Sequence, residues 1–534
     1  MSTGPSPVGH GAVSSGHPET TAAGLRALAA GGNAMDALVA AALAATVCEP
    51  LLTGFGGGGV ITWRSESAGE AVVLDLMSPF PGLQHGLAPR DFQKLLVDYG
   101  PTHQLFHAGR GAAAVPTVAP GLEHAWRRFG TLPLADLAGP AATLAREGSR
   151  CTGASEVVAT MLRAITEMTP ESAALFSPGG TPLQEGDVVR SEAMAQAMET
   201  FGAEGAAPFV TGRYAQALVE AFGPPHGSLS LEDLAGFSVV EREPVVVRFH
   251  GSTLYAPPPP CLGGGLLAFG MRLLGSLPPT DDPVEVAAMF SAVMTETERV
   301  RAEWFDAEAL NPGAVRRLLG PASLEEHRRH LMASLESRPN IPPPGPAPGA
   351  IPGNTTHISV VDDKGNACAY TSSNGESCGT LWPVAGMPVN NFLGEDDINP
   401  EGFHLGPVGA RLRTMMTPSL LVREDGGVVA LGTGGSNRIR TAMLQVMRHL
   451  VDGGMSLEDA VMYPRIHVES DTVAVEETGL SPELLAAAAG ASGTITRFEG
   501  RHLYFGGVHC AARTGDGTFI AVGDPRRSGA GGTV

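Results

Sequence analysis

Residues 353–373 read Gly353-Asn354-Thr355-Thr356-His357-Ile358-Ser359-Val360-Val361-Asp362-Asp363-Lys364-Gly365-Asn366-Ala367-Cys368-Ala369-Tyr370-Thr371-Ser372-Ser373. From Thr355 to Asp362 the residues are mostly β-branched, as a strand prefers. Asp363-Lys364-Gly365 is a turn signal, and a second strand-like run follows at once. If Asp362 pairs with Asn366 across that loop, Thr355 faces Ser373, with Cβ atoms roughly 5 Å apart. A shift of one residue brings Asn374 opposite instead. Both registers gather hydroxyl and amide groups around the first residue of a strand.

Upstream, residues 338–353 are rich in Pro and Gly, a composition that enters neither a helix nor a central strand and reads as a linker. A flexible tether that ends at a Thr on a buried strand suggests a chain built to be cut there. The chemistry is self-consistent. A Thr hydroxyl is a weak nucleophile and needs a base within hydrogen-bond reach. Once Thr355 is a new N-terminus its own α-amino group can serve, with an unperturbed pKa of about 7.7–8.0, in the range where a general base works best near neutral pH. No separate His–Asp pair is required. His357 shares the face of Thr355 but lies two residues along, and is expected to be structural.

The 534 residues, with 43% hydrophobic and 17% charged, describe an ordinary globular chain with a sizeable core. Length alone suggests about three or four domains, although one large layered α/β domain also fits. Aromatics are scarce and Gly and Ala abundant, so close packing through small residues is expected. The net charge of −20 argues against nucleic acid, which needs a basic footprint. Cys48, Cys151, Cys261, Cys368, Cys378 and Cys510 show no CxxC spacing, so neither a zinc site nor a disulfide framework is indicated. No metal and no cofactor is expected. The start of the chain lacks a basic segment followed by an apolar run, and no stretch is apolar for the roughly 18 residues that span a bilayer. No membrane partner and a cytoplasmic location are therefore expected.

Along the chain, 18–30 predicts a helix with Pro in its first turn. Asn33 can cap a second helix over 34–47, so apolar all round that it must be buried. The Gly-rich run 54–59 contains a formal GxGxxG, but it follows a helix and opens a strand at 60–63, the reverse of a dinucleotide fingerprint. Ser230 starts a capping-box-like turn. Residues 244–249, 418–422 and 428–433 read as strands. Gly434-Gly435-Ser436-Asn437 then leads into an amphipathic helix over 438–451. Strand, glycines and helix start make a ready-made anion site. In a Thr amidase that site suits the oxyanion of the tetrahedral intermediate, a term of about 2.7–4 kcal/mol per donor.

The run from Thr355 to Asp362 resembles that of the γ-glutamyltranspeptidase family of N-terminal-nucleophile hydrolases, where the first Thr of Thr-Thr-His-x-Ser-Val-Val-Asp is freed by self-cleavage. Gly434-Gly435-Ser436 resembles the family's oxyanion hole, and similarity extends from about Gly11 to Ser528. The resemblance implies an α/β fold, a four-layer αββα sandwich assembled from two fragments. The large fragment would be 1–354, including the linker at 338–353, and the small catalytic fragment 355–534. It implies cleavage between Asn354 and Thr355. It also implies catalysis by Thr355, Ser373 (where the family usually has Thr), Gly434 and Gly435. The implied partners are the cleaved large fragment and a γ-glutamyl or related acyl amide.

The donor-binding residues match the family poorly. Its carboxylate-binding Arg is absent from Leu74-Asp75-Leu76-Met77-Ser78-Pro79, where Leu76 stands in its place. Its Ser-Ser pair reads Thr414-Met415, and Phe392 replaces a Gln or Glu. Asn374 would have to substitute for an Asn that aligns with Gly375, and Glu395 or Asp396 would hold the donor's amino group. Such a pocket is expected to discriminate weakly for an α-carboxylate, unless Arg411 or Arg413 takes the missing role. Three readings follow: a γ-glutamyl hydrolase or transferase, an acylase of the same fold acting on glutaryl-like or other acyl amides, and a non-catalytic homologue.

Overall fold

The Thr355 hairpin forms as its sequence dictates and lies inside a large sheet. In the computed structural model, which describes residues 9–87, 90–98, 103–311, 313–336, 354–469, 471–477, 480–490 and 492–534, Thr355–Asp362 and Ala367–Ser373 pair antiparallel with Thr355 opposite Ser373 and Val361 opposite Ala367. The predicted linker at 338–353 lies outside the described residues. Every residue of both strands is buried, which explains why their apolar pattern runs nearly continuously instead of alternating.

Seven strands make this sheet, in the order Ala530–Thr533, Gly11–Ser15, Thr355–Asp362, Ala367–Ser373, Gly58–Arg64, Ala71–Leu76 and Val240–Arg242. A second sheet of six runs Phe519–Val522, His509–Arg513, Val428–Gly432, Ser419–Val422, Ser252–Ala256 and Val245–Phe249. Each sheet therefore mixes strands from before and after Thr355. Between the sheets lie Ala12, Val361, Ala367 and Ala369 from one and Leu420, Ala430, Ala511 and Ala521 from the other. Small side chains on both faces let the two backbones approach closely, as the Ala-rich composition leads one to expect.

Helices cover the outward faces. Pro18–Ala29, Ala34–Cys48, Leu134–Glu147 and Glu192–Glu204 share a core with the first sheet. Leu262–Leu274, Pro283–Val300 and Arg438–Val451 share one with the second. Ala34–Cys48 is buried along its whole length, and a fully buried Leu or Val contributes about 1.5–3 kcal/mol. Its start is tightly capped. Asn33 Oδ1 accepts from Met35 N and Asp36 N, and Asp362 Oδ2 from the hairpin turn accepts from Ala34 N at 2.9 Å. Three N–H groups that a helix start leaves open are thus satisfied, one of them by the Thr355 hairpin itself.

The sequence reading of the other elements is close. The helix at 438–451 occurs as Arg438–Val451, and the strand predicted at 60–63 extends over Gly58–Arg64. The Gly-rich run does connect helix to strand, not strand to helix. The six cysteines are buried and form no disulfide. No helix among the described residues is long and apolar enough to cross a membrane.

Candidate active site

Thr355 begins its strand at the floor of a cavity and is 7% exposed, as is Ser373 opposite. The hairpin register brings three oxygens into line. Thr355 Oγ1 donates to Ser373 Oγ at 3.3 Å, and Ser373 Oγ donates to the carbonyl oxygen of Asn354 at 2.7 Å. Gly375 N donates to the same Ser373 hydroxyl at 2.9 Å, fixing its rotamer. A hydroxyl that accepts from Thr355 Oγ1 and donates to the adjoining carbonyl can relay a proton from one to the other.

The strand Val428–Gly432 delivers Thr433 and Gly434 against this point. A Cβ on Gly434 would lie 2.1 Å from the Thr355 carbonyl oxygen, so only glycine allows the approach. Gly435 adopts φ 136°, which an L side chain rarely accepts, and the turn leads into Arg438–Val451. Thr433 Oγ1 braces the loop by donating to Gly434 O and accepting from Gly507 N, both at 2.8 Å. Gly434 is therefore packed against the backbone of Thr355, whereas a Cβ on Gly435 would meet Gly506 and Arg438; from this turn and helix it is Ser436 and Ile439 that line the cavity.

Behind Thr355 the chain is held by buried charge. Arg527 Nη1 donates to the Thr355 carbonyl at 3.2 Å, and burial together with nearby Arg438 pulls its guanidinium down to about 9. Glu49 accepts from Thr356 Oγ1 at 2.6 Å and from Thr20 Oγ1 at 3.0 Å. Burial raises the Glu49 carboxyl, against the opposing pull of His17. His357 is wholly buried, with Nδ1 2.8 Å from Thr371 Oγ1 and Nε2 2.8 Å from Ser359 Oγ. Burial keeps its pKa well below the ordinary value, so this neutral ring braces strands and does not reach the cavity.

Glu395, Asp396, Thr414 and Met415, singled out from sequence, all line the cavity with Thr355 and Ser373. Asn374 is not brought there. Its Nδ2 donates to Pro50 O at 3.2 Å, because the chain turns away at Gly375 with φ 61°. Leu76 is also displaced from its expected place: it is fully buried in the core, and its neighbour Met77 forms the wall. Strand alternation explains this, since adjacent side chains point to opposite faces. Phe392 lines the cavity as expected.

Sequence reasoning missed Glu376, Asp397 and Phe106 in the lining and Arg527 behind it, whereas Ser436 belongs to the glycine turn it did single out. The acidic run following Glu395 was the available signal for Asp397; Phe106 lies in the strand His103–Ala108, and Glu376 and Arg527 sit in turns without periodicity. Arg411 and Arg413 do not enter. Arg411 Nη1 donates to Met77 O at 2.6 Å and its guanidinium stacks over Phe237. Arg413 donates to Asp306 O at 2.9 Å and to Glu401 at 2.5 Å. Among the described residues the lining carries no Lys, Arg or His.

One trio elsewhere, Glu296, His327 and His330, has the ligand atoms of a metal site. Arg299 Nη2 already lies 2.7 Å from Glu296 Oε1, 3.0 Å from His327 Nδ1 and 2.9 Å from His330 Nδ1. A guanidinium on all three atoms fills the place an ion would take, so the trio is an ion-pair cluster.

The Gamma-glutamyltranspeptidase family profile matches residues 20–534. The chain is 32% identical over 533 residues to acylase ACY 1 proenzyme of Pseudomonas sp. (strain V22), covering 97% of this chain and 92% of that one. It is 27% identical over 543 residues to the glutathione hydrolase proenzyme of Bacillus subtilis (strain 168), covering 97% and 91%. In fold it is similar to cephalosporin acylase from Bacillus halodurans, with a TM-score of 0.81 at 22% identity over 99% of this chain and 97% of that one. With its Thr-led hairpin and glycine loop in place, the chain belongs to the γ-glutamyltranspeptidase family and is an enzyme of the N-terminal-nucleophile hydrolase type.

Proposed function

We propose that the chain is a self-processing amidase and acyltransferase whose nucleophile is Thr355, cleaving γ-glutamyl amides or related acyl amides and passing the acyl group to water or an amine. The relay from Thr355 Oγ1 through Ser373 Oγ to the Asn354 carbonyl carries this reading. Attack of Oγ1 on that carbonyl carbon breaks the Asn354–Thr355 bond, forms an ester and frees the Thr355 amine. Water then opens the ester. The fragments 1–354 and 355–534 stay together because both sheets draw strands from each of them. The two sheets and their outer helices support a four-layer αββα sandwich. The proenzyme names of the relatives support the processing step.

In the cut enzyme the free amine takes the proton of Thr355 Oγ1 as it attacks the donor carbonyl. Gly434 and Gly435 stand where backbone donors stabilise the resulting oxyanion. Collapse expels the amine product and leaves an acyl ester on Thr355, which water or an amino acceptor releases. Retention of this constellation disfavours a non-catalytic homologue.

A second reading, an acylase with a different donor, has an observation of its own. Among the described residues the cavity lining offers no cation to pair with a glutamyl α-carboxylate, and burying that group unpaired is costly. The test of the common core is direct. Thr355→Ala should leave one uncut chain of 55.0 kDa with no amidase activity, and Edman sequencing of active wild-type protein should read Thr355 first on the smaller fragment. Active protein with only the Met1 or Ser2 terminus would overturn the mechanism.

A further inference from the structure

We infer that Glu49 is a positioning residue for the amidase reaction, holding Thr355 and Thr356 from behind once the Asn354–Thr355 bond is cut. This rests on the reading of Thr355 as nucleophile and goes beyond it to what keeps the freed terminus in place.

Thr355, Thr356 and His357 pair on one edge with Ser373, Ser372 and Thr371. On the other edge the strand Gly11–Ser15 ends with Ser15 opposite Ile358, so these three residues overhang it. Before cleavage Asn354 anchors the overhang, because Ser373 Oγ donates to its carbonyl at 2.7 Å. Cleavage turns Thr355 into a chain terminus, which frays unless it is tied down. Behind the overhang lies a second, small cavity lined by Gly16, Glu49, Thr355, Thr356, His509 and Arg527.

Side chains stand where the adjoining strand stops. Arg527 Nη1 donates to the Thr355 carbonyl at 3.2 Å, and Thr356 Oγ1 donates to Glu49 Oε2 at 2.6 Å. The other carboxylate oxygen, Oε1, accepts from Thr20 Oγ1 at 3.0 Å. Glu49 is the C-cap of the helix Ala34–Cys48 and Thr20 belongs to Pro18–Ala29, so one carboxylate ties the nucleophile strand to two helices. Gly16 makes room for it: a Cβ there would lie 2.4 Å from Glu49 Oε2 and 2.8 Å from Thr356 Oγ1. Glu49, Thr20 and Thr356 are all buried, so water does not compete for these bonds. The peptide between Thr355 and Thr356 is planar. Fixing the carbonyl on one side and the Thr356 side chain on the other therefore fixes the base from which Thr355 Oγ1 projects.

Maturation and turnover should respond differently. In the precursor Asn354 still anchors the strand, so Glu49→Ala should be cut at close to the wild-type rate. In the cut enzyme the nucleophile is free to shift, and a misplacement of about 1 Å costs roughly a hundredfold. Glu49→Ala should show that loss in kcat with little change in KM, since Glu49 lies outside the lining of the donor cavity. Thr356→Val removes only the hydroxyl at the far end of the same bond and should lower kcat in the same way. Glu49→Gln has the same length and offers the two hydroxyls an oxygen and an amide nitrogen, and each hydroxyl can donate or accept. It should restore kcat. The double variant Glu49→Ala/Thr356→Val should lose no more than Glu49→Ala alone, because both changes break one contact.

The experiment uses the full chain after maturation, with γ-glutamyl and glutaryl p-nitroanilides as donors, and measures kcat and KM for each variant. A second readout is independent of the donor: the cut proteins are treated with an aminopeptidase and the small fragment is followed by intact mass. Wild type and Glu49→Gln should keep Thr355, and Glu49→Ala should lose it. Should Glu49→Ala not mature, Thr356→Val carries both readouts. Wild-type kcat in the variants overturns the inference, as do a loss carried by KM, losses that multiply in the double variant, a Thr355 terminus equally resistant in all, or failure of both single variants to mature. Failure of the parent reading looks different: no fragment beginning at Thr355 in active wild-type protein, or turnover by Thr355→Ala.

Discussion

Replacing Ser373 with Ala removes one hydroxyl that makes three contacts, and the consequences separate by step. In the uncut chain Ser373 Oγ accepts from Thr355 Oγ1 at 3.3 Å and donates to Asn354 O at 2.7 Å. Self-cleavage loses both the proton path and the donor on the carbonyl where negative charge develops. A donor in that position is worth about 2.7–4 kcal/mol, or roughly a hundredfold to a thousandfold in rate. Gly375 N also loses its acceptor, which costs stability on the order of 1 kcal/mol and leaves the sheet intact. Ser373→Ala should thus fold, mature at least a hundredfold more slowly on a denaturing gel, and show a lower kcat with little change in KM once cut. Ser373→Thr keeps the hydroxyl and should restore both rates. Maturation and kcat at wild-type levels in Ser373→Ala would refute the relay, and equal loss in Ser373→Thr would show the position to be merely structural.

Gly434→Ala places a methyl 2.1 Å from the Thr355 carbonyl oxygen and 2.8 Å from its carbon, so the loop must retreat. Activity should fall by about a hundredfold or more, and wild-type turnover would show that the loop is not the oxyanion site. Glu376→Gln should change how stability depends on pH. The folded-state pKa is raised from 4.5 to about 7 by burial, so the contribution of the protonated acid is complete below 4.5 and lost as pH rises through about 7. The variant should match wild type near pH 4 and exceed it at pH 8 by at most about 3 kcal/mol. A pH-independent difference in thermal midpoints would refute a buried acid there.

The hairpin register is legible in the sequence because Asp363-Lys364-Gly365 sets the loop length, and one fixed pair then determines every other. The helix at 34–48 is legible because a cap residue and an apolar run agree, and that at 438–451 because its apolar residues recur on one stripe. The pocket is harder to read. Leu76 and Met77 are equally apolar, and which one faces the cavity depends on strand parity relative to a ligand the sequence does not contain. Asn374 looks like a substrate contact until the positive φ of Gly375 turns it toward Pro50. Arg527 stands 172 residues from the Thr355 carbonyl it holds, and no periodic signal connects the two.

This division has a physical cause. The nucleophile, its relay and its glycine loop are assembled from strands of two sheets whose positions a buried core dictates, so a change there propagates through close packing. The cavity walls come instead from the turns at 375–376 and 392–398, the segment 414–416 and residues 105–106 of a peripheral two-stranded hairpin. Such loops exchange side chains without moving the sheets that carry them. An Arg can therefore be lost and Met77 and Glu376 can line the cavity while the Thr355–Ser373 geometry stands unchanged. The hairpin belongs to the part of the fold that the buried core holds fixed, while the loops around it, free to vary, line the cavity beside Thr355.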